Sequence, residues 1–319
     1  MDVVRGLHGE LPVLEAPVVT VGGFDGVHRG HQRILRDAVV WAEAVGGVAV
    51  AITFDPLPKQ VVGEGGAQCI TSLPHRLLLL ERCGVGLAVV LAFDESVRGL
   101  AAERFVEDVL LGWLGTRRIV IGRDARFGAG GRGDLGLLER YAGEGRLEVR
   151  SPDPVRHEGQ VISSTAIRQA LGDGELETVA AMLGRPYSIL GTVVPGNGRG
   201  RALGFPTANL DLHHEALPPH GVYATTVALR GAARPALTYI GTRPTFEGAD
   251  AQASVEVHII EFEDRDLYGR QLEVVFLEKL RGDRRFASAD ALVAQMRADR
   301  QAAVSVHRRC RPGGPSQTL

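Results

Sequence analysis

From residue 18 to about residue 184, continuous apolar runs alternate with helical patterns, and this alternation limits the fold more than any other feature of the sequence. Strands that are apolar throughout and separated by helices are typical of a parallel sheet covered on both faces. The pattern therefore predicts an α/β domain over residues 1–184, with ligands bound beyond the carboxyl ends of its strands. The strands are predicted at residues 18–21, 48–54, 87–93 and 118–121, and the helices at residues 74–83, 101–113 and 135–142.

The pattern changes after Arg185-Pro186, where short segments of β character are broken by glycine and proline. Such spacing is typical of an antiparallel barrel or sandwich. A second domain is therefore predicted over residues 185–306, ending in a helix at residues 288–304, and the tail over residues 307–319 is predicted to be disordered. The β segments are predicted at residues 187–194, 221–229, 236–240, 254–262 and 271–277.

The charge and the basic residues exclude some classes of function. The 319-residue chain carries a net charge of −2, which argues against a general nucleic-acid binder, although all but two of its 36 basic residues are arginine. The two lysines, Lys59 and Lys279, follow no Gly-x-x-x-x-Gly loop, which excludes a Walker A phosphate loop. Any kinase activity must therefore hold phosphate through backbone amides, arginine and metal.

The cysteines and the hydropathy pattern bear on the compartment. Cys69, Cys83 and Cys310 are widely spaced and form no C-x-x-C pair, which fits a reducing compartment and offers no zinc site. The N-terminus has no signal-peptide core, and no apolar run approaches the roughly 18 residues that a membrane span needs. We expect a cytoplasmic protein without a membrane partner, and the sequence leaves open whether it forms a homo-oligomer.

The segment over residues 18–31 reads as a buried strand, a glycine-rich turn and the start of an amphipathic helix. His28 and His31, three residues apart, are predicted on one face of the helix N-terminus, where backbone amides attract anions. Gly22 and Gly26 allow a polyphosphate to approach the backbone, and Asp25 is near enough in sequence to orient a base or a hydrated metal ion. The sequence therefore predicts a phosphate site here.

Two further groups of residues suit the binding of a phosphate, a ribose or a metal. Hydroxyl groups at residues 163–165 lead into a helix, with Arg168 one turn later; this suits a phosphate, or alternatively a helix cap with a surface arginine. The glycine-rich loop of residues 122–134 carries Asp124 and Asp134, which could hold ribose hydroxyls or a metal.

The strongest motif of the second domain spans residues 196–209, a glycine-rich stretch ending in Gly-Phe-Pro-Thr-Ala-Asn. Its backbone can wrap the phosphate tail of ATP. Thr207 and Asn209 alternate along an extended segment and project two oxygens to one side, which suits Mg²⁺.

These motifs carry a resemblance to known enzymes. The Gly-Phe-Asp-Gly-x-His-x-Gly-His string of residues 23–31 resembles nucleotidylyltransferases of the HxGH type, in particular FAD synthetases, and Ile-Ser-Ser-Thr-x-x-Arg over residues 162–168 resembles their second signature. The string of residues 204–209 resembles riboflavin kinases, as do segments at residues 221–224, 240–246, 255–258 and 266–269. Over about residues 15–305, the motifs stand in the order of bifunctional bacterial riboflavin kinase/FAD synthetases.

The resemblance implies a Rossmann-like nucleotidylyltransferase domain followed by an antiparallel β-barrel riboflavin kinase domain. It implies phosphorylation of riboflavin to FMN and adenylylation of FMN to FAD, with ATP as co-substrate, Mg²⁺ as cofactor, and flavins as substrates and products. The catalytic residues it implies are Glu256, as the base, with His28 and His31; His258 is expected to be structural or orienting.

The remaining implied site residues bind ligands. Thr207 and Asn209 are expected to bind the metal, and Arg281 and Asp283 the flavin. The residues expected to bind nucleotide or phosphate are Gly22, Phe24, Asp25, Gly26, Gly30, Asp124, Ser163, Ser164, Thr165, Arg168, Gly198, Arg199, Gly200 and Gly204.

The chain departs from the family pattern at three positions. Leu57 replaces a histidine in the usual Phe-Asp-Pro-His-Pro, Ala125 replaces a ring in the loop of residues 122–134, and Asp283 replaces a glutamate. The first two motivate an alternative, a specialised paralogue that uses another nucleotide or a flavin analogue. A flavin-binding regulatory protein with a degenerate first domain is a second alternative, against which the retained histidines argue.

Overall fold

The computed structural model describes residues 1–62, 68–196, 200, 203–213, 215–229, 232–242, 253–262 and 267–310. The chain forms two compact units, Met1–Ser164 and a second one that runs from Thr165 through the described residues to Cys310. The helices of residues 164–183 group mostly with the second unit, ahead of the domain boundary predicted after residue 184.

The first unit is built on a six-stranded sheet in the order β1-β4-β3-β2-β5-β6, and all of its strand pairs are parallel. The predicted parallel sheet is therefore confirmed, with additional edge strands at both sides. The strands are β1 (Asp2–Arg5), β2 (Val18–Val21), β3 (Ala49–Asp55), β4 (Leu87–Ala92), β5 (Arg118–Val120) and β6 (Glu148–Arg150), followed by a hairpin of β7 (Arg156–His157) and β8 (Gln160–Val161).

Helices cover both faces of this sheet, as shown by consecutive residues of β2, which pack into two different apolar clusters. Val18 packs with Ala38 and Trp41 of the first helix, whereas Val19 belongs to the cluster that contains Phe105 and Leu138. The predicted helix at residues 101–113 is a short α-helix that continues as a π-helix (Phe105–Trp113). The α-helices are α1 (Arg29–Ala44), α2 (Pro58–Val62), α3 (Leu73–Arg82), α4 (Glu95–Arg98), α5 (Ala102–Arg104) and α6 (Leu135–Gly143), with a 3₁₀ turn at Ala129–Gly131.

The second unit is a closed antiparallel barrel in the order β10-β13-β12-β11-β14-β9, and the pairing of β9 with β10 closes it. The predicted antiparallel barrel is confirmed, although β10 was not predicted as a strand. Its elements are α7 (Ser164–Asp173), α8 (Leu176–Leu183), β9 (Ser188–Val194), β10 (Ala208–Asp211), β11 (Gly221–Leu229), β12 (Ala232–Thr242), β13 (Ala253–Ile259), β14 (Gln271–Arg281) and α9 (Ala289–Arg309).

The last helix is longer than the sequence predicts. Ser288 caps α9 by accepting a hydrogen bond from the Ala291 amide, and the helix continues to Arg309, beyond the predicted start of a disordered tail at His307. His307 is buried and its Nδ1 lies 2.9 Å from the Thr226 hydroxyl of β11. The prediction was wrong for residues 307–309 because packing against the barrel extends the helix; residues 311–319 lie outside the described part.

Candidate active sites

The first site lies where three neighbouring parallel strands of the first unit end. The turn after β2 carries the histidines, Leu57 follows β3, and the loop with Asp124 follows β5. Since β3 and β5 both pair with β2, their carboxyl ends meet at one edge of the sheet. The structure therefore brings these sequence-predicted segments to one edge.

His28 is the N-cap of α1, and its Nδ1 accepts a hydrogen bond from the His31 backbone amide at 3.4 Å. An accepting Nδ1 carries no proton, so in neutral His28 the proton is on Nε2, which can donate to an anion. The two imidazole rings stack with centroids 3.6 Å apart and planes 19° apart. Both histidines therefore lie at the N-terminus of α1, the end of the helix that attracts anions.

His31 is held in a neutral state. Its Nδ1 is buried and has no hydrogen-bond partner among the described residues, and Phe24 packs its ring edge-on at 5.3 Å. Burial, then the neighbouring His28 and Arg76, lower the pKa of His31 well below its usual 6.5. At neutral pH His31 is therefore an uncharged hydrogen-bonding group, which the approach of phosphate would push toward its charged form.

The turn itself is held from behind by buried polar side chains. Asp25 accepts hydrogen bonds through Oδ1 from the amides of Ile70 and Thr71, at 2.8 and 3.1 Å, and the Gly26 amide donates to the Thr71 hydroxyl. The Arg76 guanidinium donates to the Gly23 carbonyl at 2.8 Å, although this arginine is only 1% exposed. Asp25, predicted to orient a base or a metal, therefore holds the shape of the turn.

The backbone of this turn is strained. Phe24 and Val27 both have left-handed φ values, of 49° and 40°, and both side chains are buried. A β-branched residue such as Val27 rarely adopts this conformation, which costs of order 1–3 kcal/mol. Gly26 lies between them at φ 80° against Ile70, where a larger residue would be strained and crowded. The surrounding contacts therefore maintain a loop that the local sequence does not favour.

The other predicted residues of this unit differ in placement. Ser164 is the first residue of α7, and its hydroxyl donates to the Asp25 carbonyl at 3.0 Å. Asp134 caps α6 by accepting from the Leu137 amide at 3.0 Å, which makes it a structural residue, whereas Asp124 is exposed. Ser163 directly precedes Ser164, and Gly30 lies in the first turn of α1, two residues after His28. Thr165 and Arg168 lie along α7 in the second unit.

The second site lies on the barrel, where residues far apart in sequence are in register. Asn209 of β10 lies directly opposite Glu256 of β13. The Thr207 hydroxyl donates to Glu256 Oε2 at 3.2 Å. The structure therefore joins the predicted base to both predicted metal-binding residues.

His258 supports this arrangement from two residues along β13. Its Nδ1 donates to the carbonyl of Pro206 at 2.9 Å, and its ring packs edge-on against Phe205. Burial lowers the pKa of His258, although the bond to Pro206 partly opposes this. His258 therefore holds the segment that presents Thr207, in line with the orienting role expected for it.

A cavity of about 530 Å³ lies between the end of β14 and α9. Arg281, predicted to bind flavin, lines it together with Asp283, Gln295 and Asp299. The Arg281 guanidinium contacts the buried Asp299 carboxylate at 2.9 Å, and Gln295 donates to the same carboxylate at 2.8 Å. The arginine is thus fixed in place at the wall of the cavity.

The glycine-rich stretch before β10 is only partly described. The amides of Leu203 and Phe205 donate to the Gly200 carbonyl, at 3.1 and 2.8 Å. Gly204 follows at φ 82°. Gly198 and Arg199, predicted to bind phosphate, lie outside the described residues.

Comparisons with known proteins cover both units. A family model described as FAD synthetase matches residues 12–166, and one described as riboflavin kinase matches residues 183–307. The chain is 38% identical over 305 residues to the bifunctional riboflavin kinase/FMN adenylyltransferase of Escherichia coli (strain K12), covering 94% of this chain and 96% of that protein. The chain belongs to the bifunctional riboflavin kinase/FMN adenylyltransferase family. The resemblance inferred from the motifs is confirmed.

Other relatives extend this family match. The proteins of the same name from Pseudomonas fluorescens and Bacillus subtilis (strain 168) are 37% and 32% identical, over 95% and 90% of this chain and 97% and 91% of their own. A crystal structure described as a macrolide-efflux protein from Streptococcus pneumoniae is 32% identical, with a TM-score of 0.81, and covers 95% of this chain and 99% of that one. Within the described residues, no helix is long and apolar enough to cross a membrane.

Sequence reasoning missed two residues that the structure places beside these sites. Arg76 lies on the face of α3 that buries Leu79 and Leu80, so a cation at helical spacing within an apolar stripe was an available signal. Tyr239 of β12 lies opposite Glu256, and no local pattern could have linked two residues that only the barrel register brings together.

Proposed function

We propose that this chain phosphorylates riboflavin to FMN with ATP on its barrel unit and adenylylates FMN to FAD on its first unit. The observation that carries the proposal is the presence of two separate polar sites, one in each of the segments that the two family models match. Riboflavin, FMN, FAD and ATP are then substrates and products of the chain.

In the kinase reaction, Glu256 is the proposed base. It accepts the proton of the riboflavin 5′-hydroxyl as that oxygen bonds to the γ-phosphorus of ATP and ADP leaves. The Thr207 hydroxyl donates a hydrogen bond to Glu256, and its oxygen lone pairs remain available as acceptors. Tyr239 stands on the other side of Glu256 from Asn209.

Mg²⁺ is the proposed metal of this site, and the donors present fit it. Thr207 and Asn209 offer neutral oxygens next to a carboxylate, and Mg²⁺ takes few protein oxygens because it keeps several waters and binds substrate phosphates. No cluster of three or more His, Cys, Asp or Glu that could hold a metal occurs in the described residues. When bound, the ion would neutralise charge on the ATP phosphates.

In the adenylyl transfer, an oxygen of the FMN phosphate bonds to the α-phosphorus of ATP and pyrophosphate leaves. We assign His28 Nε2 and the amides at the start of α1 to the triphosphate, because they present donors at a helix N-terminus. Ser163 and Ser164 of the first unit are the proposed second group of phosphate contacts. Asp25 and Arg76 keep the turn in place.

The test is incubation of the full chain with riboflavin, ATP and Mg²⁺, with flavins separated by chromatography and pyrophosphate assayed. We expect FMN first and FAD later, with both lost when EDTA removes the metal and restored by added Mg²⁺. FMN without FAD or pyrophosphate would favour a degenerate first domain. Faster FMN conversion with CTP, GTP or UTP than with ATP would favour the specialised paralogue.

A further inference from the structure

Tyr239 is a large side chain at the kinase site to which the reaction above gives no task. It lies directly opposite Glu256 in the pairing of β12 with β13, and it is 38% exposed. Residues directly opposite each other in an antiparallel pair project from the same face of the sheet with their Cβ atoms about 5 Å apart. The phenol therefore stands next to the proposed base, on the side away from Asn209.

The phenol also lies along its own strand toward Gly241. A side chain at position 241 would collide with the Tyr239 ring and hydroxyl, so the glycine leaves the space that the ring occupies. Because residues two apart on a strand share a face, this placement carries the hydroxyl along the face of the barrel on which Glu256 lies.

At that place the hydroxyl reaches Asp283. Tyr239 pairs with Val222 of β11, and Val222 pairs with Arg281 of β14. Because β12 and β14 run in the same direction, Asp283 follows Arg281 toward the side on which the phenol lies over Gly241. Burial, then the charge of Asp283 and a hydrogen bond to it, and then Glu256, raise the pKa of Tyr239 above its usual value, so the phenol keeps its proton and remains a donor at neutral pH. Asp283 and Arg281 both line the cavity beside α9.

We propose that Tyr239 is a positioning residue for riboflavin phosphorylation, whose hydroxyl fixes Asp283 at the cavity while its ring stands beside Glu256. The flavin end and the reacting end of the substrate are then set by one rigid side chain. The inference rests on the proposed kinase function. It also gives the shorter Asp283 a defined orientation, since a carboxylate held by a hydrogen bond loses less freedom when it binds a ligand.

The test compares Tyr239→Phe, Asp283→Ala and the double variant in the full chain. Tyr239→Phe removes only the hydroxyl, so we expect the KM for riboflavin to rise about threefold to tenfold, with a smaller change in kcat and none in FMN adenylylation. The double variant should be no worse than Asp283→Ala, because alanine has no acceptor and both changes therefore remove the same bond. Tyr141→Phe is the matched control: its hydroxyl donates to the Glu107 carboxylate in the first unit, and its loss should leave the KM unchanged.

Direct titration of each variant with riboflavin, followed by flavin fluorescence, separates this inference from the function on which it rests. A parent chain that binds riboflavin but makes no FMN would contradict the kinase function, while weaker binding by Tyr239→Phe would still support the positioning role. Unchanged riboflavin KM and affinity in Tyr239→Phe would overturn the inference, and so would effects of the two substitutions that simply add.

Discussion

The two sites are built in opposite ways. In the first unit a strained turn is held by buried groups behind it, since Arg76 and Asp25 contact backbone atoms of residues far along the chain. In the barrel, Glu256, Asn209 and Tyr239 stand on regular strands, and their register alone brings them together. The first site therefore depends on the packing behind it, whereas the second depends on strand pairing. Substitutions should affect the two activities and the fold differently.

The largest effect is expected from Glu256→Gln, which removes the proposed base without altering the strand. FMN formation should fall about 10²- to 10⁴-fold, because that is the usual contribution of a general base. Conversion of added FMN to FAD should stay near the parent rate. Glu278→Gln is the control, since Glu278 lies on β14 and its carboxylate pairs with Arg309 at the surface. FMN formation at the parent rate would show that Glu256 is not the base.

The complementary change is His28→Ala with His31→Ala. FAD formation should fall by about 10²-fold or more, the usual loss when a donor to developing charge is removed. Riboflavin phosphorylation by the same preparation serves as the internal control and should be retained. Loss of both activities together would mean that the two sites are not independent.

Arg76→Met tests whether packing behind the turn maintains the first site. Removing this buried cation leaves the Gly23 carbonyl with a weaker partner, the Thr53 hydroxyl at 3.2 Å, and should lower the free energy of unfolding by about 3 kcal/mol. Adenylylation should fall with it, and kinase activity much less.

Arg33→Met is the matched control for Arg76→Met. Arg33 is an exposed arginine that pairs with Asp37 within α1, so its loss should cost less than about 1 kcal/mol. Equal losses of stability in the two variants, measured by denaturant unfolding, would contradict a special role for Arg76.

Leu57→His probes the departure from the family pattern. Leu57 is buried, and a side chain on Gly23 of the turn would touch its Cδ2 at 3.4 Å, so the position adjoins the first site. If the chain is a weakened adenylyltransferase, FAD synthesis should rise about tenfold, the value of one hydrogen bond of roughly 1.5 kcal/mol to a charged group. A specialised paralogue should instead lose its preference for another triphosphate. Rates with ATP, CTP, GTP and UTP measure both, and identical rates would mean that residue 57 does not affect the chemistry.

The smallest effect concerns pH. Both units bury a histidine with a lowered pKa, His31 and His258, and the shift is larger for His31. The unfolded chain takes up a proton near pH 6.5 that the folded chain resists, so stability is fully present above pH 6.5 and falls as the pH drops below it, by at most about 1.4 kcal/mol per pH unit for each histidine. Unfolding at pH 7.5 and 5.5 should show a weaker pH dependence in His31→Asn than in the parent. An identical dependence would contradict the neutral state of His31.

The sequence predicted those parts of the molecule whose signals are local. The alternation of apolar strands and helices predicted the parallel sheet, because a strand buried on both faces is apolar along its whole length. The short β segments broken by glycine and proline after Arg185-Pro186 predicted the barrel. β10 was missed because it is only four residues long and follows a glycine-rich stretch. The extent of α9 was missed because His307 looks polar in sequence and is buried only through its contact with the barrel.

The sequence by itself determined the two-unit architecture, the family and the residue types that carry the chemistry, since these lie in contiguous motifs such as residues 23–31 and 204–209. Only the tertiary structure decided what each side chain does within them. It placed Asp25 behind the turn, put Arg76 in the core beneath it, and set Tyr239 opposite Glu256. The physical reason is that these roles come from contacts between segments distant in sequence, and such contacts are fixed by sheet register and burial.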